Sequence, residues 1–352
     1  MRTGHHTLPL QIDMASDRQS GLPAPPVAVP GEPDSGSSPC GGEGSRIQPI
    51  GLVTSVIAVG LAALWGGNVV GLKIGLATFP PLWSAFWRML TGIVVVAAWA
   101  RWRGISLVPQ TGELRFLVIL GMAFFVQISA MNVGVNWTSP AYGVVLISSY
   151  PVFANLISHF VVAEDRLSWR RVCGLSLALG GICVVFLGSP SAEIASRPLL
   201  GNLIATLSAF LLGARIVYTQ RLVQAINPVR AVTWQMLTSL PAFLLAAAVT
   251  EQAVLKPVDT EAVLAILYQG VVVAGLCFIA WTSLLTKHSP GSLSVFAFPT
   301  PLFGVVASAW FYQEPIRARL WLGLAVVSAG VLLATRSREN TAPREDRERA
   351  AR

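Results

Sequence analysis

Trp87-Arg88-Met89-Leu90-Thr91 returns later in the chain as Trp234-Gln235-Met236-Leu237-Thr238. Pro140, Pro151 and Glu164 return as Pro290, Pro301 and Glu314, and Gly174 and Gly181 as Gly323 and Gly330. The apolar second half of the chain is a copy of the first. Working outward from these pairs, ten stretches approach the ~20 apolar residues that cross a bilayer. They cover roughly 51–74, 82–100, 116–136, 140–162, 171–188, 200–220, 229–250, 262–285, 291–312 and 319–335. Each copy holds five. Consecutive spans alternate direction, so an odd count makes the second copy enter the bilayer opposite to the first. Inverted repeats of this kind are an architecture of membrane carriers. The expected fold is an all-α membrane protein of ten transmembrane helices in two inverted five-helix repeats.

Composition agrees. Hydrophobic residues make up 53% of the chain and charged residues only 12%, too few to cover a soluble body of 352 residues. The net charge of +8 reflects topology. With both termini placed in the cytoplasm, eighteen of the 25 Lys and Arg residues fall inside and four outside (Arg197, Lys256, Arg317 and Arg319). Lys73, Arg88 and Arg215 lie in the spans. That asymmetry is the positive-inside pattern, so the partner is the lipid bilayer and no nucleic acid is expected. Four cysteines form no C-x-x-C pair; Cys173, Cys183 and Cys277 read as small buried apolar residues, and no metal site is expected.

Residues 1–48 are rich in Gly, Pro and Ser and read as a disordered cytoplasmic tail. The repeats occupy 49–190 and 198–335, and 336–352 is a charged cytoplasmic tail. The loops are too short to fold into a catalytic domain. There is no G-x-S-x-G, H-E-x-x-H, Walker loop or G-x-G-x-x-G. Neither an enzyme nor a cofactor is expected, and function must reside in the bundle.

Pro151 and Pro301 interrupt matching spans, and each removes a backbone donor where lipid offers no substitute. They are the expected hinges of a central site, flanked by Ser148, Ser149, Tyr150 and Asn155. Trp65-Gly66-Gly67-Asn68 lies mid-membrane in span 1. Gly67, Gly71 and Gly75 share a face that suits either internal packing or a homodimer seam. Asn68 must bond another helix or face a wet cavity. Arg88 lies about two turns into span 2 and must face the interior, where Trp87 offers a cation–π face. The copy carries Gln235 there. Lys73 is expected to snorkel to the outer interface, and Arg215 lies one turn before Tyr218. Trp65, Trp87, Trp234 and Trp281 lie deep enough to wall a cavity, whereas Trp83, Trp137 and Trp321 read as interfacial anchors. His159 reads as structural. No Asp or Glu lies deep in any span, which disfavours exchange of organic cations for protons. Neutral, zwitterionic or anionic small-molecule cargo fits better.

Leu64-Trp65-Gly66-Gly67-Asn68-Val69-Val70-Gly71-Leu72-Lys73, followed by Pro80-Pro81 and Phe86-Trp87-Arg88, resembles the opening of an EamA domain. Ala163-Glu164-Asp165-Arg166-Leu167 with Gly174 to Gly181 resembles its close, and Glu314-Pro315 with Gly323 to Gly330 repeats it. Span 6 departs, with Leu211-Leu212-Gly213-Ala214 opposite Trp65-Gly66-Gly67-Asn68. The resemblance covers about 51–335 and implies the drug/metabolite transporter superfamily, with alternating access. Expected cargo contacts are Trp65, Asn68, Trp87, Arg88, Tyr150, Tyr218, Gln235 and Trp281. Efflux of amino acids or related metabolites across a bacterial inner membrane is the expected function. The alternatives are uptake or facilitated diffusion of a sugar or nucleotide-like solute, and a scaffold without cargo.

Overall fold

The structure is a computed structural model, and it describes residues 51–161, 169–188, 190, 193–252, 257–285, 296 and 299–339. The predicted N-terminal tail, the end of the C-terminal tail, Cys40, Glu164 and Pro290 lie outside the described residues. The described residues are helical throughout, without strands. Span 1 is Leu52–Leu76, span 2 Pro81–Trp102 and span 3 Glu113–Trp137. Span 4 is two helices, Pro140–Ile147 and Tyr150–Val161, and span 5 is Trp169–Phe186. In the second copy span 6 is Pro198–Leu222 and span 7 Pro228–Thr250. Span 8 runs from Thr260 to Leu285 through a π-helical stretch, Tyr268–Cys277. The described part of span 9 is Thr300–Tyr312, and span 10 is Ala318–Glu339. Seven of these are long and apolar enough to cross a membrane, and spans 5, 9 and 10 add shorter apolar helices. Exposed Leu, Val, Ile and Phe side chains line the outside of the bundle, as a lipid-facing belt requires. The protein is an integral membrane protein.

Local chemistry sets the helix starts. Pro81, Pro140, Pro198 and Pro228 each stand at the head of a span, where a missing N–H costs nothing. Ser139, Asn227 and Asp259 cap neighbouring starts with side-chain oxygens. The loop between spans 2 and 3 turns through Gly104 and Gly112, at φ 66° and 88°, a backbone region that favours glycine.

The packing obeys one exchange rule. Span 1 packs on span 9 and span 6 on span 4; span 2 packs on span 8 and span 7 on span 3; span 3 packs on span 6 and span 8 on span 1. Spans 2 and 7 pack on each other, and so do 5 and 10, and 4 and 9. Replacing every span by the one five further on returns the same set of pairs. Mates separated by five spans run in opposite directions, so the two copies are inverted repeats. The groups that pack most closely interleave the copies: spans 1, 2, 8 and 9 form one, and spans 3, 4, 6 and 7 the other.

Glycines make these crossings. A Cβ at Gly66 would lie 2.5 Å from the Thr300 carbonyl oxygen, and one at Gly213 3.0 Å from the Tyr150 carbonyl oxygen. These two crossings are mates, so Gly66 aligns with Gly213 and Asn68 with Arg215. The register inferred from sequence, with Leu211 opposite Trp65, is one residue off. Gly121 sits against the Thr238 side chain as its mate Gly270 sits against Thr91. Gly181 presses on Val327, and its mate Gly330 presses on Ala178. Gly330→Val drives a branched side chain into the Ala178 backbone and should cost about 1–3 kcal/mol. Gly180, one position from the crossing, has nothing within 4 Å of an added Cβ, so Gly180→Val should stay within about 0.5 kcal/mol. Unfolding of the two variants in detergent measures the difference.

Candidate functional site

Two polar constellations occupy matching places in the copies. In the first, Arg88 of span 2 is 3% exposed and donates from Nη1 to Gln269 Oε1 of span 8 at 3.0 Å. Its Nε and Nη2 have no hydrogen-bond partner among the described residues, and neither has the buried Oδ1 of Asn68 in span 1. In the second, Arg215 of span 6 donates from Nη1 to Gln235 Oε1 of span 7 at 3.0 Å, and its guanidinium carbon lies 4.9 Å from the centroid of the Phe124 ring. Arg215 Nε is buried without a partner among the described residues. The chemistry is exchanged between the copies. Amide and guanidinium stand on spans 1 and 2 in the first copy, and guanidinium and amide on spans 6 and 7 in the second.

The other predicted residues divide. Trp65 and Trp281 meet edge to face at 5.3 Å, half-buried, so sequence reading and structure bring them together. Tyr150 is half-buried directly after the break in span 4. Trp87 departs from expectation: it is 41% exposed and packs edge to face on Phe86, while Arg88 turns inward to Gln269. Adjacent residues on a helix point about 100° apart, so one cannot stack on the other. Tyr218 donates to the Phe116 carbonyl at 3.1 Å and packs with Leu117, Leu222 and Ile226. That is a structural bond near the end of span 6. Trp234, expected to wall a cavity, donates to the Leu107 carbonyl at 2.7 Å instead. Cys173 and Cys183 are exposed on span 5, contrary to the expected burial, while Cys277 is buried.

Sequence reasoning passed over Gln269, which is fully buried, and Tyr268, which donates to the Leu64 carbonyl at 2.6 Å. An amide inside an otherwise apolar stretch was the available signal. Both lie at the start of the π-helical stretch, a geometry that concentrates at functional sites. The Gly67–Gly71 stripe is filled from within the chain by the Tyr268 ring, with a Cβ at either glycine falling 3.0–3.1 Å from it. The stripe is therefore internal packing and offers no seam to a second copy.

The model of the EamA-like transporter family matches residues 52–187 and again 199–336. The chain belongs to the EamA-like transporter family. A probable amino-acid metabolite efflux pump of Escherichia coli is 22% identical over 79% of this chain and 93% of its own length. The uncharacterized transporter YoaV of Bacillus subtilis is 21% identical over 79% of this chain and 94% of its own length. A solved crystal structure with 19% identity covers 82% of this chain and 98% of that chain with a TM-score of 0.59, a likeness of fold.

In this EamA-like bundle the two faces are held by different bonds. On the far face, where spans 1 and 3 end, Lys73 does not snorkel. Its Nζ donates to the carbonyls of Val135, Asn136 and Thr138 at 3.0, 2.8 and 2.8 Å, binding span 1 to the negative end of the span 3 dipole. Asn132 Nδ2 donates to the Pro81 carbonyl at 2.7 Å, joining span 3 to span 2. Glu251 accepts from the amides of Leu82 and Trp83 at 2.9–3.1 Å and caps span 2 across the copies. Partial burial pushes the Glu251 carboxyl above its usual value, and the two amides pull it back down. On the terminal face, where span 1 starts, Arg230 pairs with Glu113 at 2.9 Å and fixes span 7 to span 3. Contacts of span 1 with spans 3 and 4, and of span 2 with span 3, draw the first copy together. The corresponding contacts of spans 6 and 7 with spans 8 and 9 are weaker among the described residues.

Lys73→Met removes all three carbonyl bonds and should destabilise the transporter by about 1–3 kcal/mol. Arg317 is exposed, and Arg317→Met should stay within about 0.5 kcal/mol. Detergent unfolding reports both.

Proposed function

We propose that this EamA-like transporter is a secondary carrier that exports amino acids or related carboxylate metabolites across a bacterial inner membrane. Both termini lie in the cytoplasm, as the distribution of basic residues requires. The mechanism is alternating access, without cofactor or enzymatic chemistry. The observation that supports the cargo class is the set of buried polar atoms without partners: two N–H donors of Arg88 and the Oδ1 acceptor of Asn68. Asn68 lies eight residues before the end of span 1 and Arg88 seven after the start of span 2, so both stand ~10–12 Å below the far face. Donors that suit a carboxylate and an acceptor that suits an ammonium thus share one level, as an amino-acid backbone demands. Trp65 and Trp281 supply an apolar wall beside them, and Tyr150 and Gln235 complete the set. The curated relative named a probable amino-acid metabolite efflux pump agrees in cargo and direction.

The bonds of Lys73 and Asn132 close the far face while the second copy lacks matching closure, so this state admits cargo from the terminal face. In the opposite state the second copy takes the compact arrangement and the first opens. The break at Ser148–Ser149 ahead of Pro151, and its mate at Pro301, absorb the change.

Purified protein in liposomes should show saturable flux of a labelled amino acid taken from those that raise its melting temperature. Arg88→Ala should abolish that flux and Arg317→Ala should leave it intact. A folded Arg88→Ala that carries cargo at the normal rate removes Arg88 from the site. Absence of saturable flux for every solute tested makes the protein a scaffold.

A further inference from the structure

Arg215 stood outside the expected contact set, yet the structure gives it the same predicament as Arg88. Each guanidinium spends one N–H on a glutamine oxygen at 3.0 Å and keeps Nε unpaired. Neither is bonded to a carboxylate. The acidic groups described near the bundle ends are already engaged: Glu113 by Arg230, Glu251 by the span 2 amides and Glu314 by the Ser308 hydroxyl at 2.6 Å. A guanidinium placed in a membrane interior without a counter-charge is costly, and one such group per copy is an unusual load.

The free edge of Arg88 is specific. Nε and Nη2 form the side-on pair of parallel donors that meets both oxygens of a carboxylate. Gln269 occupies the remaining corner and holds that edge in place. Arg215 is fixed comparably, by Gln235 at one corner and the Phe124 ring on its face. The two sit at opposite depths. Arg88 lies seven residues from the far-face start of span 2, and Arg215 seven residues from the terminal-face end of span 6. Each is ~10 Å in from its own face.

We propose that Arg215 and Arg88 are two successive stations for one carboxylate group of the cargo, Arg215 receiving it from the terminal face and Arg88 releasing it toward the far face. This rests on the carrier reading above and adds a second binding site to it. The glutamines are positioning residues. Each keeps its guanidinium fixed and leaves its unpaired N–H for the passing anion.

Binding, tested separately from transport, distinguishes the two ideas. Full-length protein in nanodiscs is melted with propionate, benzoate, glycine and L-leucine, with the uncharged propionamide and benzamide, and with sodium chloride. The carboxylates should raise the melting temperature, and the amides and chloride should not. Arg215→Gln and Arg88→Gln should each weaken carboxylate binding about tenfold, and the double variant should abolish it. Arg215→Lys keeps the charge and loses the fork, so it should fall between wild type and Arg215→Gln; it also serves if Arg215→Gln does not fold. Gln235→Leu frees Arg215 without removing it and should retain binding. Equal shifts by acid and amide, a shift reproduced by chloride alone, or full carboxylate binding in Arg215→Gln overturns the second station. Carboxylate binding that depends on both arginines in a protein without flux keeps the stations and removes the carrier.

Discussion

Two helices approach to backbone contact only where one of them has no side chain in the way. Lipid tails are as apolar as leucine, so helices inside a bilayer gain little by hiding apolar surface from one another. Close fit and polar bonds must hold them. In this bundle the closest fits are glycine crossings, and they come in mated pairs: Gly66 with Gly213, Gly121 with Gly270, Gly181 with Gly330. Each ties a span of one copy to a span of the other. These crossings produce the interleaving in which span 1 rests on spans 8 and 9 while span 6 rests on spans 3 and 4. The units that fit together in space are therefore not the units that follow one another in the chain. A motion between the interleaved groups changes the relation of spans 1 and 3 in one copy and of spans 6 and 8 in the other. Inverted symmetry converts closure at one face into opening at its opposite.

The crossings kept their mates, but the polar groups between them diverged. A glycine contact fails with any side chain, so it tolerates no drift. A polar position inside the bundle tolerates any group that finds a partner. Asn68 and Arg88 answer to Arg215 and Gln235, so each copy retains one amide and one guanidinium in exchanged places. In the second copy the pair bond each other. In the first, Arg88 turns away to Gln269 and Asn68 keeps an unpaired oxygen. The difference matches the packing, since the first copy is drawn together at the far face by Lys73 and Asn132.

The number of spans, their direction and the repeat were legible in the sequence because they follow from the lengths of apolar stretches and from coarse spacing. Glycine and proline positions were legible for the same reason: their effect is on the backbone and needs no knowledge of neighbours. The direction in which a polar side chain turns was not. Lys73 has the chemistry of a snorkelling residue, and only the nearby end of span 3, with its unpaired carbonyls, makes an inward bond the better one. Trp87 and Tyr218 were grouped with the site by depth, yet depth does not fix the face of a helix. Gln269 was invisible beside the more conspicuous arginines, although it is the partner that orients Arg88. The one-residue slip in span 6 had the same origin. Leu211-Leu212-Gly213 matches Trp65-Gly66 poorly as letters, and only the contact of Gly213 with Tyr150 sets the register.

Proline alone does not explain the break in span 4. Pro241 lies inside span 7, and that helix continues through it to Thr250. At Pro151 the helix stops at Ile147 and resumes at Tyr150. The residues just before the proline make the difference. Ser149 directs its hydroxyl to the Leu146 carbonyl at 2.5 Å, offering the backbone a local partner in place of the next helical bond. Asn155 Nδ2 binds the Pro151 carbonyl at 2.8 Å on the other side of the break. Leu240 has no such side chain to offer before Pro241. The position of the break also matters. The Tyr150 carbonyl at its edge is the atom that span 6 approaches at Gly213, as the Thr300 carbonyl beside Pro301 is the atom that span 1 approaches at Gly66. The interrupted backbone and the tightest crossing occupy the same place in each copy. A side chain at either glycine would push apart the point about which span 4 or span 9 must bend, so the hinge and the contact that holds the copies together constrain one another.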